Sequence, residues 1–220
     1  VSDKHIYPTE IPINDQLHPA FKSDVSPAQA VVLAQLVLAE RPIDLCVSGI
    51  NFGENVGSTV TTSGTVGAAI EAASFDIPAL AVSLETPSEF HVKYSERINF
   101  DVAAHFTRYF ARQVLSKGLP QNVDLLKIDV PATATPHTPW RVAAVSRQRY
   151  WHPVENQPGR PNEPKSIGYQ ARVDYDSLEP ESDISIFLIN RLVSVAPMTI
   201  DLTAPVKLPE ISAYFNGTSS

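Results

Sequence analysis

The sequence predicts an α/β protein built on a mostly parallel sheet, and three observations carry that expectation. Two near-continuous apolar runs, "RPIDLCVSGI" (41–50) and "IPALAVSLE" (77–85), have the composition of strands covered on both faces. Between them lie a loop of small and hydroxyl residues and a helix-forming run, "TVGAAIEAASFD" (65–76). Strand, loop, helix and strand in that order make a right-handed crossover and leave the two strands parallel.

Along the chain, residues 1–24 are mixed, with "IYPTEIPI" a short extended segment. "SPAQAVVLAQLVLAE" (26–40) reads as a helix with Ser26 as N-cap and Pro27 at its first position. It is apolar nearly all round, which predicts burial on more than one side. "NFDVAAHFTRYFARQVLSKG" (99–118) is a second long helix, capped by Asn99 and stopped by Gly118. "VDLLKIDVP" (123–131) and "WRVAAVSRQR" (140–149) are strands, and "SDISIFLINRLVSVAPMTIDLT" (182–203) is strand-like. Residues 1–220 read as one unit, with an irregular excursion or hairpin at 150–180, where Pro, Gly and Asn accumulate, and a weakly patterned tail at 204–220.

Composition narrows the function classes. The formal net charge is −7 and the pI about 5.3, which disfavours a protein that coats nucleic acid or anionic lipid. No apolar run reaches membrane-spanning length. The single cysteine, Cys46, lies in an apolar strand and reads as a core residue, so a cytoplasmic setting is expected. His5, His18, His91, His105, His137 and His152 form no zinc-binding pattern. There is no Walker lysine, no dinucleotide fingerprint and no G-x-S-x-G elbow, which leaves a serine esterase on Ser48 or Ser63 a remote reading.

The loop between the first strand pair carries the chemistry. In open α/β sheets ligands bind beyond the carboxyl ends of strands, at helix N-termini. Ser63, Gly64 and Thr65 stand where the helix begins, with amides and hydroxyls suited to a phosphate. Gly53, Gly57 and Gly64 allow close backbone approach, and the Asn51 carbonyl oxygen suits a hard cation such as Mg²⁺ or a bound water. On these residues alone, Ser63 and Thr65 serve equally as plain helix caps, and Asn51 as a turn residue.

"DLCVSGINFGENVG" (44–57) followed by "SGTVGAAIEAASFDIPALAVSL" (63–84) resembles the central signature of the SurE family of 5′/3′-nucleotidases. "SPAQAVVLAQLVL", "LKIDVP" and "VSVAPMTIDLT" resemble its flanking helix and later strands, so the likeness runs from about residue 1 to residue 203. The resemblance implies a Rossmann-like fold with helices on both faces of the sheet. It also implies release of phosphate from nucleoside monophosphates or other small phosphomonoesters, a divalent cation (Mg²⁺ or Mn²⁺), and a homodimer or homotetramer. It makes Asn51 a metal ligand, sets Asn55 beside the phosphate, gives Ser63, Gly64 and Thr65 the phosphate, and leaves Gly49, Gly53 and Gly57 to shape the loop. The family's Asn-Asp-Asp-Gly motif and the strand and helix around it have no counterpart here, and "DVSPAQ" stands where Gly-Thr-Pro is usual. The expectation is therefore a nucleotidase lacking its N-terminal strand and carboxylates, inactive as residues 1–220 alone. A non-catalytic binding or assembly module is the alternative.

Overall fold

The computed structural model describes residues 5–90, 97–155 and 167–217. The first four residues, His91 and the middle of the Pro-rich excursion lie outside the described residues. A five-stranded sheet forms the centre, ordered β3 (Cys46–Phe52), β4 (Ala79–Leu84), β5 (Leu125–Val130), β9 (Val193–Met198) and β6 (Trp140–Val142). β3, β4 and β5 are parallel; β9 runs against β5. This is the mostly parallel α/β arrangement expected.

Alternation along the strands sets the two layers. Leu80, Val82, Leu84, Ile128 and Val130 point to one face and pack against Phe106, Phe110 and Val114 of α3 (Asp101–Lys117). Burial of each such Phe is worth roughly 1.5–3 kcal/mol. Ala79, Ala81 and Leu125 point to the other face and meet Val66, Ala69, Ala72 and Ala73 of α2 (Gly64–Ala73). Small residues on both sides let that helix lie close to the sheet. A third cluster, of Val56, Tyr150, Ile184 and Phe187, sits under the β3–α2 loop.

Two antiparallel hairpins flank this body. β1 (Ile6–Ile13) pairs with β2 (Gln16–Ser23), a second strand the mixed composition of residues 14–24 concealed. β7 (Trp151–Glu155) pairs with β8 (Ile167–Ala171), which is the hairpin form of the expected excursion. The tail carries a short helix, α4 (Leu208–Phe215), with no buried residue.

Several local expectations change. α1 (Pro27–Leu33) has the predicted Ser26 cap, in a reciprocal capping box with Gln29. It continues into a wide turn at Ala34–Leu38 and has no buried residue; Leu36 and Val37 are exposed. Its principal neighbour among the described residues is α2. β3 is an edge strand among the described residues, and Val47 is 43% exposed rather than covered on both faces. The strand expected at 140–149 stops at Val142: Ala143 still donates to the Val195 carbonyl, but at Ala144 the backbone bonds to residues 181–183 instead of β9. Residues 185–189 form a helical turn before β9. Asn99 accepts from the Asp101 N–H at 2.7 Å, one residue upstream of the assigned cap. Gly118 ends α3 with φ 74°.

Candidate active site

The penultimate residues of the three parallel strands share one row. Asn51 stands opposite Ser83, Ser83 opposite Asp129, and Asp129 opposite Ser194 of β9. In-register neighbours project to the same face, so a polar row crosses an otherwise apolar sheet at its carboxyl end. The row lies on the face of α2, and the loop from Phe52 to Ser63 folds over it.

Asn51 donates Nδ2 to the carbonyls of Gly53 (2.8 Å) and Phe52 (3.3 Å). Its Oδ1 accepts nothing among the described residues, so the side chain is oriented with its oxygen to spare. Asn55 is held twice: its N–H donates to Asp129 Oδ1 (2.7 Å) and its Nδ2 to Ser83 Oγ (2.6 Å). Two glycines are required here. Gly49 has φ 120°, and a Cβ there would lie 2.4 Å from the Val82 carbonyl oxygen. Gly57 has φ 69°, and a Cβ would lie 2.5 Å from the Gln148 carbonyl oxygen. Gly53 also has positive φ and is buried.

A short 3₁₀ segment, Gly57–Thr62, leads from this loop to α2. Ser63 is the N-cap; its Oγ accepts from the Val66 N–H at 3.1 Å. The Ser63 carbonyl takes the Gly67 N–H. The amides of Gly64 and Thr65, the first two of the helix, carry no backbone partner among the described residues, as the first turn of any helix dictates. Both point along a dipole whose positive end is here. Gly64 is exposed and faces Pro27 of α1, and Thr65 is half-buried.

Beneath the loop is a set of charged residues. Lys127 is fully buried, with Nζ 2.6 Å from Asp129 Oδ2 and 2.9 Å from Asp183 Oδ2, both also fully buried. Burial works against the ammonium, but the two carboxylates outweigh it and hold Lys127 above the ordinary lysine pKa. Asp183 Oδ2 also accepts from the Gly57 N–H (3.1 Å), and its Oδ1 from those of Ser146 (2.9 Å) and Ile184 (2.8 Å). Glu54, in the loop itself, is 6% exposed and accepts a bond from Tyr150. Burial pushes its carboxyl up to about 7, helped by the charges of Glu85 and Asp129. Burial and the Glu54 carboxylate push the Tyr150 hydroxyl up in turn. At the rim, Glu85 is gripped by both Arg191 nitrogens and by the Ala132 N–H. Although burial opposes it, these bonds hold the Glu85 carboxyl below the usual range.

Of the residues expected from sequence, Asn51, Asn55, Gly49, Gly53 and Gly57 form the loop over the polar row, and Ser63, Gly64 and Thr65 form the helix start that follows it. Ser83, Lys127, Asp129, Asp183, Glu54 and Tyr150 were not foreseen as site residues. Lys127 and Asp129 had a signal: alternate charged residues on one face of a buried strand need each other. Asp183 had none.

A divalent cation fits these residues poorly. The Asn51 oxygen is one neutral donor, and Asp129 and Asp183 are spent on Lys127. Among the described residues no group of three His, Cys, Asp or Glu side chains stands close enough to hold an ion.

The geometry defines an α/β protein with an amide-rich loop and helix start at the carboxyl ends of its parallel strands. The family described as Survival protein SurE is matched over residues 3–152, and the chain belongs to that family. It is 39% identical over 194 residues to the 5′-nucleotidase SurE of Thermococcus kodakarensis, covering 87% of this chain and 73% of that protein. It is 38% identical over 202 residues to the 5′-nucleotidase SurE of Thermococcus gammatolerans, covering 91% and 74%. The fold is similar to the crystal structure of SurE protein from Aquifex aeolicus, with a TM-score of 0.70 at 24% identity over 98% of this chain and 80% of that one. No helix among the described residues is long and apolar enough to cross a membrane.

Proposed function

We propose that this chain carries the phosphate-binding half of a nucleotidase acting on nucleoside monophosphates. The observation that carries the reading is the pair of partnerless amides of Gly64 and Thr65 at the start of α2, beside the Ser63 and Thr65 hydroxyls. Phosphate oxygens accept from such amides, and the helix dipole favours their charge. Preorganised donors of this kind stabilise charge that grows on the equatorial oxygens during phosphoryl transfer. Asn55 is fixed by Asp129 and Ser83 in the loop that leads to the same helix start. Membership of a family whose relatives are named 5′-nucleotidases supports hydrolysis as the reaction.

A divalent cation, Mg²⁺ or Mn²⁺, belongs to this reading. Asn51 Oδ1 is one oxygen this chain offers it. The chain spans 73% of the length of its Thermococcus kodakarensis relative. Residues 1–220 alone are expected to bind phosphate with little turnover, because the described residues hold no group of three His, Cys, Asp or Glu side chains for a cation.

The test compares residues 1–220 with a version carrying whatever coding sequence precedes Val1. Phosphate release from nucleoside 5′-monophosphates is measured with Mg²⁺, Mn²⁺ and EDTA. Chelator-sensitive release by the longer chain supports the reading; release indifferent to EDTA overturns the cation, and robust release by residues 1–220 overturns the need for further carboxylates.

A homodimer or homotetramer in a cytoplasmic setting is part of the same proposal. Leu17 and Phe21 on the first hairpin, and Leu202, Leu208 and Phe215 in the tail, are exposed and supply the apolar surface that subunit contacts bury. A stable monomer in light scattering counts against it.

A further inference from the structure

We propose that Lys127, Asp129 and Asp183 form a buried latch that fixes the Asn51–Gly57 loop and, through it, the start of α2, making Lys127 a positioning residue for the anion site. The functional half of this statement rests on the phosphate reading above.

The latch joins three distant parts of the chain. Lys127 and Asp129 alternate on β5, and Asp183 precedes the helical turn before β9. The ammonium sits between both carboxylates, at 2.6 and 2.9 Å. The same carboxylates also accept from the loop, Asp129 through its second oxygen and Asp183 through the oxygen that holds Lys127. Asp129 Oδ1 takes the N–H of Asn55, while Asp183 takes the N–H of Gly57 and, from the other side, that of Ser146. Two loop amides two residues apart are thus pinned to one buried cation through its two partners.

The loop has other anchors, the Gly53 N–H on the Leu84 carbonyl (2.8 Å), Asn55 Nδ2 on Ser83 Oγ (2.6 Å) and Trp151 Nε1 on the Glu54 carbonyl (3.2 Å), but among the described residues the Asn55 and Gly57 amides are held by the latch alone. Its apolar hold is Val56, fully buried between the two pinned amides. Positive φ at Gly53 and Gly57 gives the backbone no preference of its own. From Gly57 the 3₁₀ segment runs straight to Ser63, so a shift at Gly57 is carried to the helix cap and to the Gly64 and Thr65 amides.

A structural role alone explains this group poorly. Apolar residues of similar volume commonly match or exceed a buried ion pair in stability. What the charged set supplies, and an apolar set cannot, is acceptors for the Asn55 and Gly57 amides in one register. One ammonium and two carboxylates leave a single excess negative charge. Replacing Lys127 and Asp129 together by Asn keeps that net charge, keeps an acceptor for Asn55 at position 129 and keeps Asp183 for Gly57.

The experiment measures amide hydrogen exchange at Asn55 and Gly57, with Phe106 and Phe110 of α3 as references, in the wild-type chain, in Lys127→Met and in Lys127→Asn/Asp129→Asn. Inorganic phosphate is titrated against the amide resonances of Gly64 and Thr65 in each. Lys127→Met is expected to lose about 100-fold or more of protection at Asn55 and Gly57, beyond any change in α3, and to weaken the phosphate response. The double variant is expected to recover both to within about tenfold, a difference of about 1.4 kcal/mol. Unchanged loop protection in a folded Lys127→Met overturns the latch. If Lys127→Met unfolds throughout, the double variant decides. Wild-type loop protection there supports the latch, and an exposed loop on an intact α3 overturns it. A wild-type chain whose Gly64 and Thr65 resonances ignore phosphate refutes the phosphate reading and leaves the exchange result to stand by itself.

Discussion

The N–H of Asn55 donates to Asp129 Oδ1 at 2.7 Å across 74 positions of sequence, and Asp129 in turn grips Lys127 at 2.6 Å. One carboxylate thus ties the 51–57 loop to the middle strand of the sheet. Asp129→Ala removes it and leaves Lys127 with Asp183 alone and a buried amide without an acceptor. The expected loss is roughly 3–5 kcal/mol, the range for breaking a buried pair, measured by urea denaturation. A loss below about 1 kcal/mol, the worth of an ordinary hydrogen bond, would mean that water reaches the site and replaces the carboxylate.

Two glycines should respond to alanine with opposite sign. At Gly57, φ 69° and a contact of 2.5 Å to the Gln148 carbonyl oxygen both oppose a Cβ. Gly57→Ala is expected to cost at least about 1–2 kcal/mol from backbone strain alone, with the clash added. Gly67 lies inside α2, and its Cβ would meet nothing within 4 Å. Gly67→Ala should therefore stabilise by about 0.5–1 kcal/mol, the difference in helix propensity. Thermal melts of the two variants check both signs, and a shift in the same direction contradicts the local geometry.

Glu54 predicts a pH dependence. Its carboxyl is raised to about 7 from 4.5 in the folded chain, chiefly by burial. Between those values the folded state holds a proton that the unfolded state has released. Stability is then full below pH 4.5 and is lost as pH rises through 7. At one pH unit per 1.36 kcal/mol the loss is at most roughly 3 kcal/mol. Glu54→Gln should flatten this decline, so that the variant gains on the wild type between pH 5 and pH 8.5. Parallel stability profiles for the two proteins would contradict it.

The crossover from β3 through α2 to β4 was legible because each piece has a local cause. Apolar runs of strand length, a Ser at the helix start and small residues along α2 all appear within 45–85. The loop residues Asn51, Ser63, Gly64 and Thr65 were legible for the same reason. What lies beneath them was not. Gly57 and Asp183 are 126 positions apart, and no local pattern links them. The exposed sides of α1 and β3 escaped for a related reason: apolar periodicity says which residues seek cover but not whether the described chain supplies it. β6 ended early because the backbone of Ala144 bonds to Glu181 and Asp183, distant in sequence, rather than to β9.

Variants of Ser63 separate its role as a cap from the proposed phosphate site. Its Oγ accepts the Val66 N–H at 3.1 Å, which any good N-cap residue achieves. Ser63→Ala should cost about 1 kcal/mol, the usual loss of such a cap. Ser63→Asp keeps an acceptor for Val66 and a favourable charge for the helix dipole, so stability should stay within about 0.5 kcal/mol of wild type. The same carboxylate, however, stands beside the Gly64 and Thr65 amides where a phosphate would lie. Like charges a few ångströms apart at a protein surface repel by several kcal/mol in the unscreened limit, so phosphate affinity should fall at least about tenfold. Chemical denaturation and phosphate titration on one pair of samples measure both quantities. A Ser63→Asp chain that is stable and still binds phosphate like the wild type would reduce Ser63 to a cap and move the anion elsewhere.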